Sequence, residues 1–260
     1  MRLDDRVALV TGGGSGIGAA AAQMLAAHGA RVAVLSRSND EVRAVSEEIR
    51  AAGGEALPLA ADVTESEAMA GAIRRIGDRW GRLDIVLANA GINGVWAPIE
   101  EIAPAEWDRT LDTNLKGTFL TIKYATPYLK ARGGSVIVTS SVNGTRVFSN
   151  TGATAYASSK AGQVAMAKML AVELAPYRVR VNGICPGAIE TEIGENTERR
   201  SLEGVGVRVE YPEGRIPLTS GRPGHAQQVA ELVLFLASDA ASHITGTEIW
   251  IDGGESLIVG

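Results

Sequence analysis

The 260-residue chain has one cysteine, few aromatic side chains and no run of basic residues. A single Cys185 excludes an internal disulfide framework and fits a reducing compartment such as the cytoplasm. A net charge of −5 without a basic run argues against a nucleic-acid-binding surface. No apolar stretch approaches a membrane span, and the N-terminus lacks the layout of a signal peptide. His28, His225 and His243 lie too far apart for metal-ligand spacing, so no metal is expected.

Short apolar runs of the kind found in buried parallel strands alternate with helical segments along the chain. The predicted strands are 6–10, 31–35, 56–61, 83–88, 135–139, 178–184 and 247–251. The predicted helices are 19–28, 39–52, 64–80, 104–131, 155–173 and 226–237, with Asn39 and Thr64 as the expected N-caps of the second and third. This alternation predicts an α/β fold with a Rossmann-type doubly wound parallel sheet of about seven strands and helices on both faces. No repeat, linker or low-complexity tract is present, so we expect one domain over residues 1–260.

A glycine-rich turn follows the first predicted strand and leads into a helix, with the sequence Thr11-Gly12-Gly13-Gly14-Ser15-Gly16-Ile17-Gly18. Such a turn lets the backbone approach a pyrophosphate, and the N-terminus of the following helix favours negative charge. The spacing T-G-x-x-x-G-x-G differs from the G-x-G-x-x-G of the dinucleotide-binding fingerprint. Between a strand and a helix, the cluster nevertheless predicts phosphate binding rather than a turn alone.

The end of the second predicted strand bears on the choice of nucleotide. Folds that prefer NAD usually have an acidic residue here, which accepts a hydrogen bond from the ribose 2′-hydroxyl. This chain has Ser36 and Arg37 instead, and a guanidinium can bind a 2′-phosphate through a charge-assisted hydrogen bond. The alternatives are that Ser36 binds a ribose hydroxyl and that Arg37 stacks on adenine, points to solvent or is neutralised by Asp40 and Glu41. We expect NADP(H) over NAD(H).

Tyr156 and Lys160 lie four residues apart in a predicted helix, so their side chains share one face. A free tyrosine has a pKa of about 10, and a fixed cation nearby lowers it by favouring the phenolate. The pair can therefore act as a general acid/base, although such pairs also occur by chance on solvated surfaces. Only one of Ser140 and Ser141 should face a substrate, since consecutive strand residues point to opposite faces. Asn114 lies inside a predicted helix, where a buried Asn calls for a hydrogen-bonding role.

Taken together, these motifs make the chain resemble the classical short-chain dehydrogenase/reductase family. The resemblance extends from the first strand to Asp252-Gly253-Gly254, which is nearly the whole chain. Its motifs are Thr11-Gly12-x-x-x-Gly16-x-Gly18, Asp62, Asn89-Ala90-Gly91, Asn114, Ser141, Tyr156-x-x-x-Lys160 and Pro186-Gly187 with Thr191.

The resemblance implies a set of residues for proton transfer and a set for the cofactor. Tyr156 exchanges a proton with the substrate oxygen, and Lys160 binds the nicotinamide ribose and lowers the pKa of Tyr156. Ser141 holds the substrate oxygen, while Asn114 supports a water-mediated proton path to Lys160. The implied cofactor-binding residues are Gly12, Ser15, Gly16, Ile17, Gly18, Arg37, Asp62, Val63, Asn89, Ala90, Gly91, Tyr156, Lys160, Pro186, Gly187, Ile189 and Thr191.

The function predicted from this resemblance is an NAD(P)(H)-dependent oxidoreductase that interconverts a small-molecule secondary alcohol and its ketone. The alternatives are a catalytically idle dinucleotide-binding or sensor protein, and an isomerase or dehydratase on the same scaffold. The family resemblance also implies a homotetramer. The glycine- and proline-containing segment 188–223 is interpreted as a substrate-binding lid, and substrate determinants are expected in 93–96, 143–151 and 188–215.

Overall fold

A computed structural model describes residues 1–191, 194, 197–207 and 215–259. The strands are β1 (Val7–Thr11), β2 (Arg31–Ser36), β3 (Glu55–Ala60), β4 (Ile85–Ala88), β5 (Val95–Trp96), β6 (Gly134–Thr139), β7 (Val179–Pro186), β8 (Ile189–Glu190), β9 (Glu198–Arg199), β10 (Gly224–His225) and β11 (Glu248–Ile251). Seven of them form one parallel sheet in the order β11-β7-β6-β4-β1-β2-β3. β5 pairs with β9 and β8 pairs with β10 as separate short ladders.

Helices cover both faces of this sheet. They are α1 (Gly16–Ala27), α2 (Asn39–Ala51), α3 (Ser66–Trp80), α4 (Pro104–Leu111), α5 (Gly117–Arg132), α6 (Thr154–Leu174) and α7 (Ala226–Ala237). One core cluster joins the sheet to α1, α2 and α7, and the other joins it to α3, α5 and α6. The predicted doubly wound fold is therefore confirmed.

The first strand shows why the sheet strands are continuous apolar runs. Ala8 and Val10 pack into the core cluster of α1, while Val7 and Leu9 pack into that of α3. A strand covered on both faces needs apolar side chains on each of them. The strand order reverses at β1, which pairs with β2 on one side and β4 on the other. Such a reversal opens a crevice at the carboxyl ends of the strands, and ligands bind there.

Two predicted helix starts differ from the structure by one or two residues. Ser38, not Asn39, caps α2, and its side chain accepts a hydrogen bond from the backbone N–H of Glu41. Thr64 was the expected cap of α3, but the helix begins at Ser66. The hydroxyl and backbone N–H of Thr64 both donate to Asp62 Oδ1 at 2.9 Å. This local turn competes with helix entry, which moves the start two residues along the chain.

The long helix predicted over 104–131 is interrupted. A π-helical turn at Asp112–Lys116 separates α4 from α5, and Asn114 lies in the middle of that turn. Such turns insert one extra residue into the helical ladder and are frequent at functional sites.

Of the predicted lid, residues 192, 193, 195, 196 and 208–214 lie outside the described residues. Within the described ranges, no helix combines the length and apolar character needed to cross a membrane.

Candidate active site

A crevice of about 720 Å³ opens at the carboxyl ends of the central strands. It brings together most of the residues predicted for the site: Gly12, Ser15, Gly16, Ile17, Arg37, Asp62, Val63, Asn89, Ala90, Gly91, Ser141, Tyr156, Lys160, Pro186, Gly187, Ile189 and Thr191. Gly18 and Asn114 do not line it and lie behind its wall. Residues far apart in the sequence therefore meet because parallel strands end at one edge of the sheet.

The glycine turn forms one end of the crevice. Gly12 has φ of 64° and Gly16 has φ of 49°, in the left-handed region that favours glycine. A Cβ added at Gly18 would lie 2.0 Å from the Gly12 carbonyl oxygen, so only glycine fits beneath the turn. Ser15 is the N-cap of α1, yet its side chain makes no capping hydrogen bond. The first backbone N–H groups of α1 are thus not satisfied by the cap, an arrangement that suits the phosphates of a dinucleotide.

Asn89 and Thr11 join the glycine turn to the end of β4. The Asn89 Nδ2 donates to the Thr11 carbonyl at 3.2 Å, and the Thr11 hydroxyl accepts from the backbone N–H groups of Asn89 and Ala90. These bonds span nearly 80 residues of sequence, with separations of 78 and 79. Asn89 therefore fixes the relative position of two crevice walls in addition to lining the space between them.

The wall beyond β2 contains the acidic side chain of Glu41, which the sequence suggested only as a partner for Arg37. Ser36, Arg37, Ser38 and Glu41 line this part of the crevice. A Cβ added at Gly14 would lie 2.6 Å from Glu41 Oε2, so the carboxylate lies directly against the glycine turn. The Ser36 hydroxyl donates to that same oxygen at 3.5 Å. Arg37 is exposed and forms no ion pair among the described residues, so Glu41 does not neutralise it there.

Tyr156 and Lys160 are both buried at the opposite end of the crevice, 8% and 3% exposed. The Lys160 Nζ lies 5.5 Å from the centre of the Tyr156 ring and donates to the Thr139 carbonyl at 2.9 Å. Burial disfavours the charged amine and lowers the pKa of Lys160 to about 8.

The expected lowering of the Tyr156 pKa is wrong for this structure. Burial is the largest influence on the phenol, and it raises the pKa of Tyr156 above its ordinary value. A hydrogen bond with Ser141 acts in the opposite sense and is weaker. The expectation failed because it considered only the neighbouring cation, whereas burial follows from the whole fold.

The two adjacent serines after β6 have different partners. The Ser140 hydroxyl donates to the Lys160 carbonyl at 2.9 Å and so anchors α6 to the sheet. Ser141 instead lies near the Tyr156 phenol and acts to lower its pKa, and the Ser141 Oγ accepts from the Asn143 N–H at 3.1 Å. Ser141 is thus the serine that faces the phenol, which is the residue the family resemblance selects.

Asn114 is fully buried in the π-helical turn, and all of its polar groups are bonded. Its Oδ1 accepts from the Ile92 N–H at 2.8 Å, and its Nδ2 donates to the Ile92 carbonyl and the Ser159 hydroxyl, both at 2.9 Å. A Cβ at Gly91 would lie 3.2 Å from Asn114 Oδ1 and 3.5 Å from Lys160 Nζ. A side chain at position 91 would therefore crowd both groups, and glycine avoids this.

The sequence analysis missed Gln163, which supports this turn from α6. Its Nε2 donates to the Asn114 carbonyl at 2.8 Å and to the Thr118 hydroxyl at 2.7 Å. Gln163 lies three residues after Lys160 on a helix that is otherwise apolar in this region. A lone amide at a core position is the signal that could have identified it, because buried polar groups need partners.

Comparison with known proteins agrees with this geometry. The chain is 39% identical over 261 residues to trans-4-hydroxycyclohexanecarboxylate dehydrogenase of Sinomonas cyclohexanicum, covering 98% of this chain and 94% of that protein. A family model described as enoyl-(acyl carrier protein) reductase matches residues 12–256. The chain belongs to the short-chain dehydrogenase/reductase family. It is an oxidoreductase of that family.

Solved structures of other short-chain dehydrogenases/reductases have the same fold. A 3-ketoacyl-ACP reductase from Sinorhizobium meliloti superposes with a TM-score of 0.92 at 51% identity, covering 96% of this chain and 99% of that one. A 3-ketoacyl-(acyl-carrier-protein) reductase from Brucella melitensis, complexed with NADH, superposes with a TM-score of 0.85 at 30% identity, covering 97% and 99%. Both neighbours extend over essentially the full fold described above.

Proposed function

We propose that this oxidoreductase interconverts a secondary alcohol and a ketone, with Tyr156 as the general acid/base. The observation that carries the proposal is the convergence of Tyr156, Ser141 and Lys160 in one crevice that also contains the glycine turn. A nicotinamide nucleotide, when bound, would supply or accept the hydride. Gly12, Gly16 and the start of α1 would hold its phosphates, and Lys160 its ribose.

The side chains around Tyr156 support proton transfer at a defined atom. The raised pKa of Tyr156 keeps the phenol protonated near neutral pH, so its hydroxyl can donate to a carbonyl oxygen. Ser141 contacts the same phenol and is placed to hold that oxygen. The Asn114 Oδ1 and the Lys160 Nζ both lie close to Gly91, and a water-mediated proton path between these two residues is part of the proposal.

Two other functions remain as alternatives to this proposal. A dinucleotide-binding or sensor protein would bind the nucleotide without turnover, but it would not need Ser141, Tyr156 and Lys160 together. An isomerase or dehydratase would convert substrate without net change in nicotinamide absorbance. The assay is to saturate the protein with each reduced nucleotide and add 4-oxocyclohexanecarboxylate, an acetoacetyl thioester, a ketose and a ketosteroid. Oxidation of the nucleotide by at least one of these supports the proposal, and binding without oxidation opposes it.

NADP(H) is the proposed nucleotide, because Arg37 is exposed at the end of β2 without an ion-pair partner among the described residues. We expect NADPH to bind more tightly than NADH. Arg37→Ala should weaken NADPH binding by about 1.5–3 kcal/mol, roughly 10- to 140-fold, as for a hydrogen bond to a charged group. NADH binding should be nearly unchanged. Fluorescence titration of both reduced nucleotides measures these affinities.

Glu41→Gln provides the matched variant for this titration. The Glu41 carboxylate lies in the same part of the crevice and would repel a 2′-phosphate, so its removal should strengthen NADPH binding relative to NADH. Equal losses for both nucleotides in Arg37→Ala, or tighter binding of NADH to the wild-type protein, would contradict the NADP(H) assignment. Neither result would affect the assignment of Tyr156.

A homotetramer is the proposed assembly. Phe119 on α5 and Met169 and Val172 on α6 are exposed large apolar side chains, with Met169 74% and Val172 77% exposed. Apolar side chains on adjacent helices suit a symmetric contact between copies of the chain. Light scattering at micromolar concentration should give a mass about four times that of the chain. A monomeric mass would contradict this proposal.

A cytoplasmic location stays a prediction.

A further inference from the structure

A short segment within the predicted lid is docked on the loop that follows β4. In this contact β9 pairs with β5, and the backbone N–H of Arg200 donates to the Trp96 carbonyl at 2.9 Å. The Asn93 Nδ2 donates to the Thr197 hydroxyl at 2.7 Å. Two-residue strands are too short to hold together through their backbone bonds alone. Side-chain contacts must therefore contribute to this docking.

Arg200 provides the strongest of these side-chain contacts. Its two terminal nitrogens donate to the two carboxylate oxygens of Glu106 at 3.0 and 2.8 Å, which is a bidentate ion pair. One of them also donates to the Glu101 carbonyl at 2.7 Å. Glu106 is itself fixed, because it accepts from the Ala103 N–H at the start of α4. The guanidinium thus clamps the docked segment to a rigid helix end.

The strand on which this segment is docked, β5, places Trp96 beside Tyr156. The rings of Trp96 and Tyr156 have centres 6.5 Å apart and planes inclined by 42°. The Trp96 Nε1 donates to the Asn93 carbonyl at 3.3 Å, and the Arg199 guanidinium lies 5.2 Å from the indole centre. With its polar edge satisfied, the indole presents an apolar surface beside the phenol. The indole and the phenol are therefore neighbours, and Tyr156 and Val95, the residue before Trp96, both line the crevice.

We propose that Arg200 is a positioning residue for substrate binding, acting through Trp96. Its ion pair with Glu106 holds β9 on β5. In turn, β5 holds the indole beside Tyr156, where it would contact the apolar part of a carbonyl substrate. This inference rests on the proposed function for its kinetic consequences. Loss of the clamp should weaken substrate binding while the proton-transfer groups and the nucleotide-binding turn, which Arg200 does not touch, remain in place.

The first experiment compares Arg200→Met with the wild-type protein, since methionine keeps the aliphatic stem and removes the guanidinium. We expect KM for the most rapidly reduced ketone of the panel to rise about two- to fivefold, the upper part of the range for a partly exposed ion pair. Both kcat and the nucleotide Kd should stay within about twofold of wild type. Arg79→Met is the matched control, because it removes an exposed ion pair with Glu55 far from the crevice.

Two double variants distinguish positioning from general stability. Glu106→Gln can still accept from the Ala103 N–H but loses the charge, so adding it to Arg200→Met should raise KM no further. Trp96→Ala should raise KM by at least as much as Arg200→Met, and the combination should equal Trp96→Ala alone. Additive increases in KM for Arg200 and Trp96 would overturn the proposal, as would a fall in kcat with unchanged KM.

Amide hydrogen exchange tests whether the Arg200 ion pair holds β9 on β5, and this measurement needs no substrate. Exchange in 93–97 and 197–201 should be faster in Arg200→Met and in Glu106→Gln, and unchanged in Arg79→Met. If no compound of the panel is reduced, the proposed function fails, whereas this measurement still tests the clamp. Exchange in both segments equal to that of the wild-type protein would overturn the role of Arg200.

Discussion

Replacement of Tyr156 by phenylalanine is expected to remove nearly all turnover while the fold and nucleotide binding are kept. The side chain is 8% exposed, and phenylalanine retains the ring that packs between Trp96 and Lys160. Only the hydroxyl is lost, and with it the proton that general acid catalysis requires. The expected loss in kcat is about 10²–10⁴-fold. Steady-state kinetics with the best ketone, nucleotide titration and thermal unfolding together measure these three properties.

The control for this prediction is Tyr124→Phe, which removes a phenolic hydroxyl elsewhere. The Tyr124 Oη is hydrogen-bonded to the Ser66 Oγ at 2.6 Å, between α5 and α3. Its loss should lower stability by about 1 kcal/mol and leave kcat close to wild type. Near-normal turnover by Tyr156→Phe on the true substrate would show that another group transfers the proton. Equal loss in both variants would indicate a structural effect rather than a chemical one.

The fold could be predicted from the sequence because its signals are local. The apolar run of β1 and the glycines after it determine a buried strand and a tight turn within a dozen residues. Helix starts were less predictable, since Thr64 has a side-chain partner in Asp62 that competes with capping. The sequence pattern contains both groups but does not show which hydrogen bond prevails.

Residues of one motif could be placed near each other from the sequence, whereas groups that the tertiary structure brings together from distant positions could not. Glu41 reaches the glycine turn only because Ser38 sets the start of α2. Arg200 and Glu106 are 94 residues apart, and no local pattern relates them. The direction of the Tyr156 pKa was also wrong, because burial depends on every element packed around the phenol. Distances and burial depend on the whole folded chain, so a sequence motif alone does not determine them.

Replacement of Lys160 by methionine is expected to stabilise the protein and to abolish turnover. Burial lowers the pKa of Lys160 from 10.5 to about 8, so the charged amine weakens the fold near neutral pH. A pKa lower by this amount corresponds to about 3 kcal/mol, of which the lost hydrogen bond to the Thr139 carbonyl offsets about 1 kcal/mol. The net gain of about 2 kcal/mol should raise Tm by about 4–8 °C for a chain of this size.

The pH dependence of this gain identifies its cause. Because the folded pKa lies below the unfolded one, the penalty from Lys160 is fully present below about pH 8 and disappears as pH rises towards 10.5. The advantage of Lys160→Met in thermal unfolding should therefore be large near neutral pH and small near pH 10. Lys168→Met is the control on the same helix, since Lys168 is 53% exposed and paired with Glu248, and it should give no gain. Two results would contradict the view that the buried amine destabilises the fold. One is a Lys160→Met protein that is less stable than wild type near neutral pH, and the other is a stability difference that does not change with pH. Family resemblance assigns this amine to the nicotinamide ribose. We therefore expect that Lys160 is required for catalysis although it lowers the stability of the fold.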